Sequence, residues 1–228
     1  MANPLRTFLA DLNAPIQRDP AAKGVLDVFL SYPGFHALTA HRLTHALYRM
    51  RIPLLPRYLS NVNRFLTGIE IHPAAKIAPG VFIDHGMGVV IGETAEVGEG
   101  CTIYQGVTLG GTSLSHGKRH PTIGDNVVIG ANAAVLGAIT VGENSRIGSN
   151  SVVVKDVAAN STVVGVPGRI VAQDGKPVRA VSDVPRVEMP DPNAEALAAI
   201  SRRVSELEAR LSDVEGVQTQ EEPWSWVI

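Results

Sequence analysis

A single cysteine, Cys101, in 228 residues excludes an internal disulfide and suits a reducing compartment. Aromatic residues make up only 5% of the chain, too few for a bulky aromatic core, whereas glycine occurs 22 times. Neither sign of charge prevails: 20 Lys and Arg stand against 22 Asp and Glu, a formal net charge of -2. That balance excludes a general electrostatic pull toward nucleic acid or membrane, so any anionic ligand must be held by local groups. Long apolar runs are missing too. The opening stretch is interrupted by Arg6 and Asp11 where a secretory segment needs continuity, and no later run reaches the length of a membrane span. A cytoplasmic protein with neither membrane nor nucleic-acid partners is expected. Its 45% apolar content can still fill the core of one sizeable domain.

What the chain has in abundance is repetition. An aliphatic residue recurs every six positions at Ile71, Ile77 and Ile83, then at Ile91, Val97, Ile103 and Leu109, and again at Ile123, Ile129, Val135, Val141, Ile147 and Val153. Glycine often follows it, as in Ile91-Gly92, Val97-Gly98 and Ile129-Gly130. A period of six fits neither a helix nor simple strand alternation. It fits a short strand and a tight corner, with the aliphatic side chain inside a narrow prism. This pattern resembles the left-handed β-helix acyltransferases. The period slips twice: Ile83 to Ile91 spans eight residues and holds Asp84 and His85, and Leu109 to Ile123 spans fourteen and holds Arg119 and His120. Departures from a strong repeat are where function is commonly placed, although tolerated surface loops would look the same.

The flanks read differently. Residues 1–68 are expected to be helical, with Ser31 as a cap, Pro33 in the next first turn, and a second helix from Arg57 to Thr67 ending at Gly68. His41 and His45 are four apart, a metal-compatible spacing, but without an acidic or cysteine neighbour they read as packing residues. The β-helix is expected over 69–171, a proline-rich linker over 172–192, a helix over 193–215 and a flexible tail over 216–228. Leu197, Ile200, Val204, Leu207, Leu211 and Val214 alternate spacings of three and four, the seam of a coiled coil. So short a coil is marginal alone and needs a neighbouring trimer to hold its strands together; an amphipathic helix packed on its own subunit is the alternative.

Several motifs sharpen the reading: Asp19-Pro20-Ala21-Ala22, Gly34-Phe35-His36-Ala37-Leu38, IEIHPAAK (69–76), FIDHGMG (82–88), VTLGGT (107–112), GKRHPTIG (117–124) and GVPGRIV (165–171). Together they resemble the serine O-acetyltransferase family over approximately residues 18–171. The fold implied is mainly β, a left-handed parallel β-helix with an N-terminal helical segment, to which this chain adds the coiled-coil helix. The activity implied is acetyl transfer from acetyl-CoA to the hydroxyl of L-serine, a step toward cysteine.

The resemblance also assigns roles. His85 matches the general base, and Glu70 falls where the family commonly has an aspartate that orients that histidine. Asp19 and Asp84 would hold the serine ammonium, and Arg119 and His120 its carboxylate, a task suited to a planar guanidinium. Gly110 and Gly111 offer backbone donors for the oxyanion, and Gly111, Thr112 and Ala131 would line the pantetheine arm between subunits. Arg146 and Lys155 are nominated for the CoA phosphates. No metal is expected. Cys101 occupies a small-residue slot in the repeat, so direct transfer is preferred over an acyl-cysteine route.

A homotrimer is implied, with trimer and dimer of trimers both open because the chain has room for only the last part of the family's longer helical domain. L-cysteine is implied as a feedback inhibitor, and O-acetylserine sulfhydrylase as a partner through the C-terminal Ile228. Three other readings stay open at this stage: a hexapeptide acetyltransferase for a sugar or antibiotic hydroxyl, a zinc-dependent γ-type carbonic anhydrase, and a non-catalytic β-helix scaffold.

Overall fold

Four helices precede the repeat: α1 (Pro4–Arg18), α2 (Val25–Ser31), α3 (Pro33–Arg49) and α4 (Leu55–Thr67). Three of them carry a proline at the first or second position, whose fixed φ suits a first turn where its missing N–H is no loss. Pro33 also decides where α2 stops. It forces extended backbone on the residue before it, so Tyr32 (φ -99°, ψ 103°) rather than Ser31 is the capping residue of α3, and Ser31 ends α2. Gly68 closes α4 in the left-handed region at φ 73°. The structure, a computed structural model, describes the backbone of residues 3–178 and 192–215 and the side chains of 3–178 and 198–211. Residues 179–191 and the tail 216–228, with Ile228, lie outside the described residues.

The repeat folds into short strands: β1 (Glu70–Ile71), β2 (Lys76–Ile77), β3 (Phe82–Ile83), β4 (Val90–Ile91), β5 (Glu96–Val97), β6 (Thr102–Ile103), β7 (Thr108–Gly110), β8 (Thr122–Ile123), β9 (Val128–Ile129), β10 (Ala134–Leu136), β11 (Thr140–Val141), β12 (Arg146–Ile147), β13 (Val152–Val153) and β14 (Ser161–Val164). They stack in parallel as three faces of a prism. β1, β4, β7, β10 and β13 form the first face, β2, β5, β8 and β11 the second, and β3, β6, β9, β12 and β14 the third. The third face then reverses direction, adding β15 (Arg169–Gln173) and β16 (Lys176–Pro177) antiparallel. The sheet thus continues past residue 171, because the chain turns back on β14 and keeps pairing.

Register explains the period. Ile71, Ile91, Leu109, Val135 and Val153 lie directly above one another, as do Ile77, Val97, Ile123 and Val141, and Ile83, Ile103, Ile129, Ile147 and Val163. All are buried, and with Ala75, Ala95, Cys101 and Ala133 they make one continuous core. Each such aliphatic side chain contributes roughly 1.5–3 kcal/mol relative to an exposed position. The slips do not disturb this stacking, since the extra residues bulge outward between strands that stay in register.

Ion pairs and hydrogen bonds fasten the helices to the prism. The buried Asp11 accepts from Arg42 Nε at 3.1 Å and from the Gly80 amide at 2.9 Å, while Arg42 also donates to the carbonyls of Ile77 and Ala78. Burial pushes the Asp11 carboxyl up even against the Arg42 guanidinium. Arg18 donates to the carbonyls of Gly80 and Cys101 and to the Thr102 hydroxyl. Asp19, at the end of α1, is thereby held beside the first coil. Residues 181–228 form a separate unit whose described part is the single helix α5 (Pro192–Glu215).

Candidate active site

The first slip follows β3, and α3 sits directly on it: a Cβ on Gly34 would meet the Ile83 carbonyl oxygen at 2.0 Å. The Asp84 amide donates to the Ile103 carbonyl, continuing the strand, and the Gly86 amide donates back to the Asp84 carbonyl at 2.6 Å, so His85 projects at the tip of a tight turn. His85 has φ 56°. Gly106, Asn132 and Asn150 serve the later bends between the third and first faces with the same left-handed backbone, and a side chain without that tolerance is strained there by roughly 1–2 kcal/mol. The imidazole is exposed, with Nε2 4.0 Å from Asp84 Oδ1.

Asp19 and Tyr32 join this cluster from the helical segment. The Tyr32 hydroxyl donates to Asp19 Oδ2 at 2.6 Å, and the Ala21 amide donates to Oδ1 at 2.8 Å. The Tyr32 hydrogen bond is the main cause holding the Asp19 carboxyl below the usual carboxylate range, with the nearby His85 charge a smaller contributor. The same contact pushes the Tyr32 phenol up to about 12. Asp19, Tyr32, Asp84 and His85 therefore form one polar cluster, with the imidazole on its exposed side.

Arg119 and His120 lie at the other edge of the same face. The His120 ring rests on Gly92, just after β4, where a Cβ would come within 2.0 Å of it, whereas His85 precedes β4. Thr94 organises this edge. Its hydroxyl oxygen accepts from the amides of Arg119 and His120, both at 3.0 Å, and its own amide donates to His120 Nδ1 at 3.2 Å. A ring nitrogen that accepts cannot carry the proton, so neutral His120 carries it on Nε2. Burial, then the Arg119 charge, lowers the His120 pKa, and burial, then Arg57, lowers His72 to about 4. Arg119 pairs with Glu93, whose carboxyl is held low by that contact.

The remaining nominees are dispersed. Glu70 pairs with Arg64 at 3.0 Å, and among the described residues no hydrogen bond joins it to His85. Gly111 and Thr112 begin the second slip beside Arg119 and His120, with a Gly111 Cβ 3.3 Å from His120 Nε2. Ala131 lies on the edge that carries His85, its carbonyl accepting from Asn150 at 2.8 Å. Arg146 is exposed on the third face, and Lys155 is exposed after β13. Cys101 is buried; its thiol, pushed up to about 11 by burial, donates to the Gly124 carbonyl. A cavity of about 410 Å³ between α3 and the second face is lined by His41, Arg42, His45, Lys76 and Glu96 and includes none of the nominated residues. Among the described residues, no cluster of three or more His, Cys, Asp or Glu is arranged to hold a metal, and no helix is long and apolar enough to cross a membrane.

Tyr32, Glu93 and Thr94 were not nominated from the sequence. Tyr32-Pro33 precedes a quoted motif, which is the one local signal for it. Thr94 sits in an ordinary unit, Gly92-Glu93-Thr94-Ala95, and only the fold brings the second slip onto it.

A three-faced prism of six-residue rungs, with polar groups gathered at its two slips, defines a hexapeptide-repeat transferase, and residues 120–155 match the family model described as bacterial transferase hexapeptide (six repeats). Residues 2–40 match the model for the N-terminal part of serine acetyltransferase. The chain is 54% identical over 206 residues to the serine acetyltransferase of Synechococcus elongatus, covering 90% of this chain and 83% of that protein. To the Bacillus subtilis enzyme it is 52% identical over 208 residues, covering 91% and 95%. The chain belongs to the serine acetyltransferase family.

Solved structures agree. Serine acetyltransferase from Neisseria gonorrhoeae in complex with serine aligns with a TM-score of 0.72 at 47% identity, covering 74% of this chain and 69% of that one. The Brucella abortus enzyme in complex with coenzyme A gives 0.72 at 45% identity, covering 75% and 68%. A serine acetyltransferase in complex with cysteine gives 0.72 at 43%, covering 73% and 69%. The prism is the left-handed β-helix of this family.

Proposed function

We propose that this chain transfers the acetyl group of acetyl-CoA to the hydroxyl of L-serine, giving O-acetyl-L-serine for cysteine synthesis, in a site shared by neighbouring copies of a homotrimer. One observation carries the shared site: His85 and the Arg119–His120 pair stand at opposite edges of one prism face. A neighbour packed edge to edge brings its Arg119 edge up to the His85 edge. Relatives solved with serine and with coenzyme A support the two substrates.

In this reading the serine ammonium sits against Asp19 and Asp84, and its carboxylate against Arg119 and the Nε2–H of His120 from the partner subunit. His85 takes the hydroxyl proton as the serine oxygen attacks the thioester carbon, worth roughly 10²- to 10⁴-fold in rate. Backbone amides near Gly110 and Gly111 receive the oxyanion. Collapse re-forms the carbonyl and breaks the carbon–sulfur bond, and the imidazolium returns its proton to the departing CoA thiolate. Glu70 is the carboxylate assigned to orient His85, with Arg64 as its competing partner. The pantetheine arm runs between Ala131 on one edge and Gly111 and Thr112 on the other, with Arg146 and Lys155 reaching toward phosphates.

L-cysteine shares the ammonium and carboxylate of serine, and a relative binds it, so inhibition at the serine site follows. The chemistry needs no metal, membrane or nucleic acid. A thiol-releasing enzyme with a single buried cysteine suits the cytoplasm. The partner reading for O-acetylserine sulfhydrylase rests on Ile228 in the sequence alone.

The test is thiol release from acetyl-CoA with a panel of hydroxyl acceptors, using wild type, His85→Ala, Arg119→Ala, and trimers assembled from both variants together. Serine should be preferred, each variant should be nearly inactive, and mixed trimers should regain activity because some sites receive His85 from one chain and Arg119 from another. Preference for another acceptor, or mixed trimers that stay inactive, would overturn the reading.

A further inference from the structure

Among the described residues, helix α5 carries an exposed apolar stripe. Ile200, Val204, Leu207 and Leu211 are 60%, 46%, 49% and 55% exposed. Continued through the sequence, the stripe places Leu197, Val204 and Leu211 at one seam position of a heptad and Ile200, Leu207 and Val214 at the other. Such regular exposure of large aliphatic residues on one helical line calls for an occupant.

The flanking charges identify it. Arg203 and Arg210 fall just before the first seam position of the second and third heptads, and Glu208 and Glu215 just after the second seam position, while the first heptad has Ala196 and Ser201 at these places. In a parallel, in-register assembly the first of these positions meets the second one heptad further along the neighbouring strand. Arg203 then faces Glu208 of the partner subunit, and Arg210 faces Glu215 of the partner subunit. Antiparallel pairing would set Arg against Arg and Glu against Glu. The contact Arg203 makes within its own helix, to Glu206 at 3.1 Å, is an exposed i,i+3 pair and easily exchanged.

We propose that α5 forms a parallel, in-register, three-stranded coiled coil with the same helix of two further copies of this chain, its orientation set by Arg203 and Arg210. The number three rests on the trimer reading above. It agrees with Leu before a β-branched residue in two of the three seam layers, Leu197 with Ile200 and Leu211 with Val214, a pattern that disfavours two strands. A helix of 24 residues is about 36 Å long and marginal as an isolated coil. Tethering to an assembled body raises the local concentration of its partners to about millimolar and makes association favourable.

Disulfide trapping in the full chain tests this. Cys101 is buried and its thiol is pushed up to about 11, so an added cysteine reacts alone. Ile200→Cys and Leu211→Cys lie at opposite ends of the seam, about 16 Å apart along the helix. Under mild oxidation each variant should give linked pairs of chains by itself, while sedimentation reports three chains per particle, or six if two trimers join, and acetyl transfer to serine persists. Linkage only when the two variants are mixed means an antiparallel coil, and no linkage in either case means no coil; both overturn the proposal. Linked chains in particles of two overturn its three-stranded part. Particles smaller than a trimer with lost acetyl transfer refute the functional reading instead. Adding Arg203→Glu with Arg210→Glu should slow linkage about tenfold, and adding Glu208→Arg with Glu215→Arg as well should restore it; unchanged rates would remove the charges from the argument.

Discussion

Gly34 and Ile83 approach so closely that one additional carbon on Gly34 would lie 2.0 Å from the Ile83 carbonyl oxygen and 2.9 Å from its Cβ. The start of α3 and the end of β3 are thus one packing unit, and the turn bearing Asp84 and His85 leaves from it.

Gly34→Ala should therefore damage two properties together. Backbone cannot yield as the tip of a flexible side chain can, so α3 must shift. We expect a loss of about 1–3 kcal/mol, visible as a lower melting temperature. A fall in kcat larger than the fall in folded fraction should accompany it, because the displaced helix carries Tyr32 away from Asp19. A variant with unchanged kcat and reduced stability would uncouple the helix from the site.

Tyr32→Phe removes one hydroxyl and little volume. Asp19 loses the strongest of the contacts that hold its charge. A hydrogen bond to a charged group is worth roughly 1.5–3 kcal/mol, so KM for serine should rise about tenfold or more while KM for acetyl-CoA stays unchanged. Steady-state kinetics with each substrate varied in turn checks this.

His85→Asn separates strain from chemistry. Asparagine already occupies the left-handed bends at residues 126, 132, 144, 150 and 160, all between φ 56° and 58°. The variant should melt at or slightly above the wild-type temperature and lose roughly 10²- to 10⁴-fold in kcat. A variant that unfolds would make His85 a structural residue.

Acid should weaken the fold through His41. Burial, then the charges of Arg42 and His45, holds this imidazole down to about 3, against an ordinary value of 6.5, and its Nδ1 has no hydrogen-bond partner among the described residues. As pH falls below 6.5 the unfolded chain takes up a proton that the folded chain refuses, so stability declines until about pH 3; above 6.5 both states are neutral and this dependence vanishes. One such group gives a slope of at most about 1.4 kcal/mol per pH unit. Urea midpoints at pH 7.5, 6 and 5 should drop more steeply for wild type than for His41→Leu. Parallel curves would relieve His41 of the effect.

The prism could be read from the chain because each rung repeats one local rule: an aliphatic residue inside, then a small residue or an asparagine at the bend. Apart from the two slips, the aliphatic positions from Ile71 to Val153 keep the six-residue spacing, and the stacked register matches it. His85 and Arg119 were found because they break it. Thr94 was not, since a hydroxyl in a regular unit gains its task only when a loop distant in sequence folds onto it. Tyr32 was missed for a related reason, because its partner Asp19 lies beyond a helix boundary that Pro33 sets. Glu70 shows the converse. Similarity nominates it to orient His85, yet Arg64, one turn from the end of α4, holds its carboxylate.

The reversal of β14, β15 and β16 matters beyond the geometry of the third face. A stack of parallel rungs is an open template: its last strand presents unpaired amides and carbonyls to which another such stack could add, extending without limit. Folding the chain back antiparallel occupies that template with its own continuation, and at the opposite end α4 lies against β1. The protein can therefore use a fibre-like architecture and remain a discrete particle.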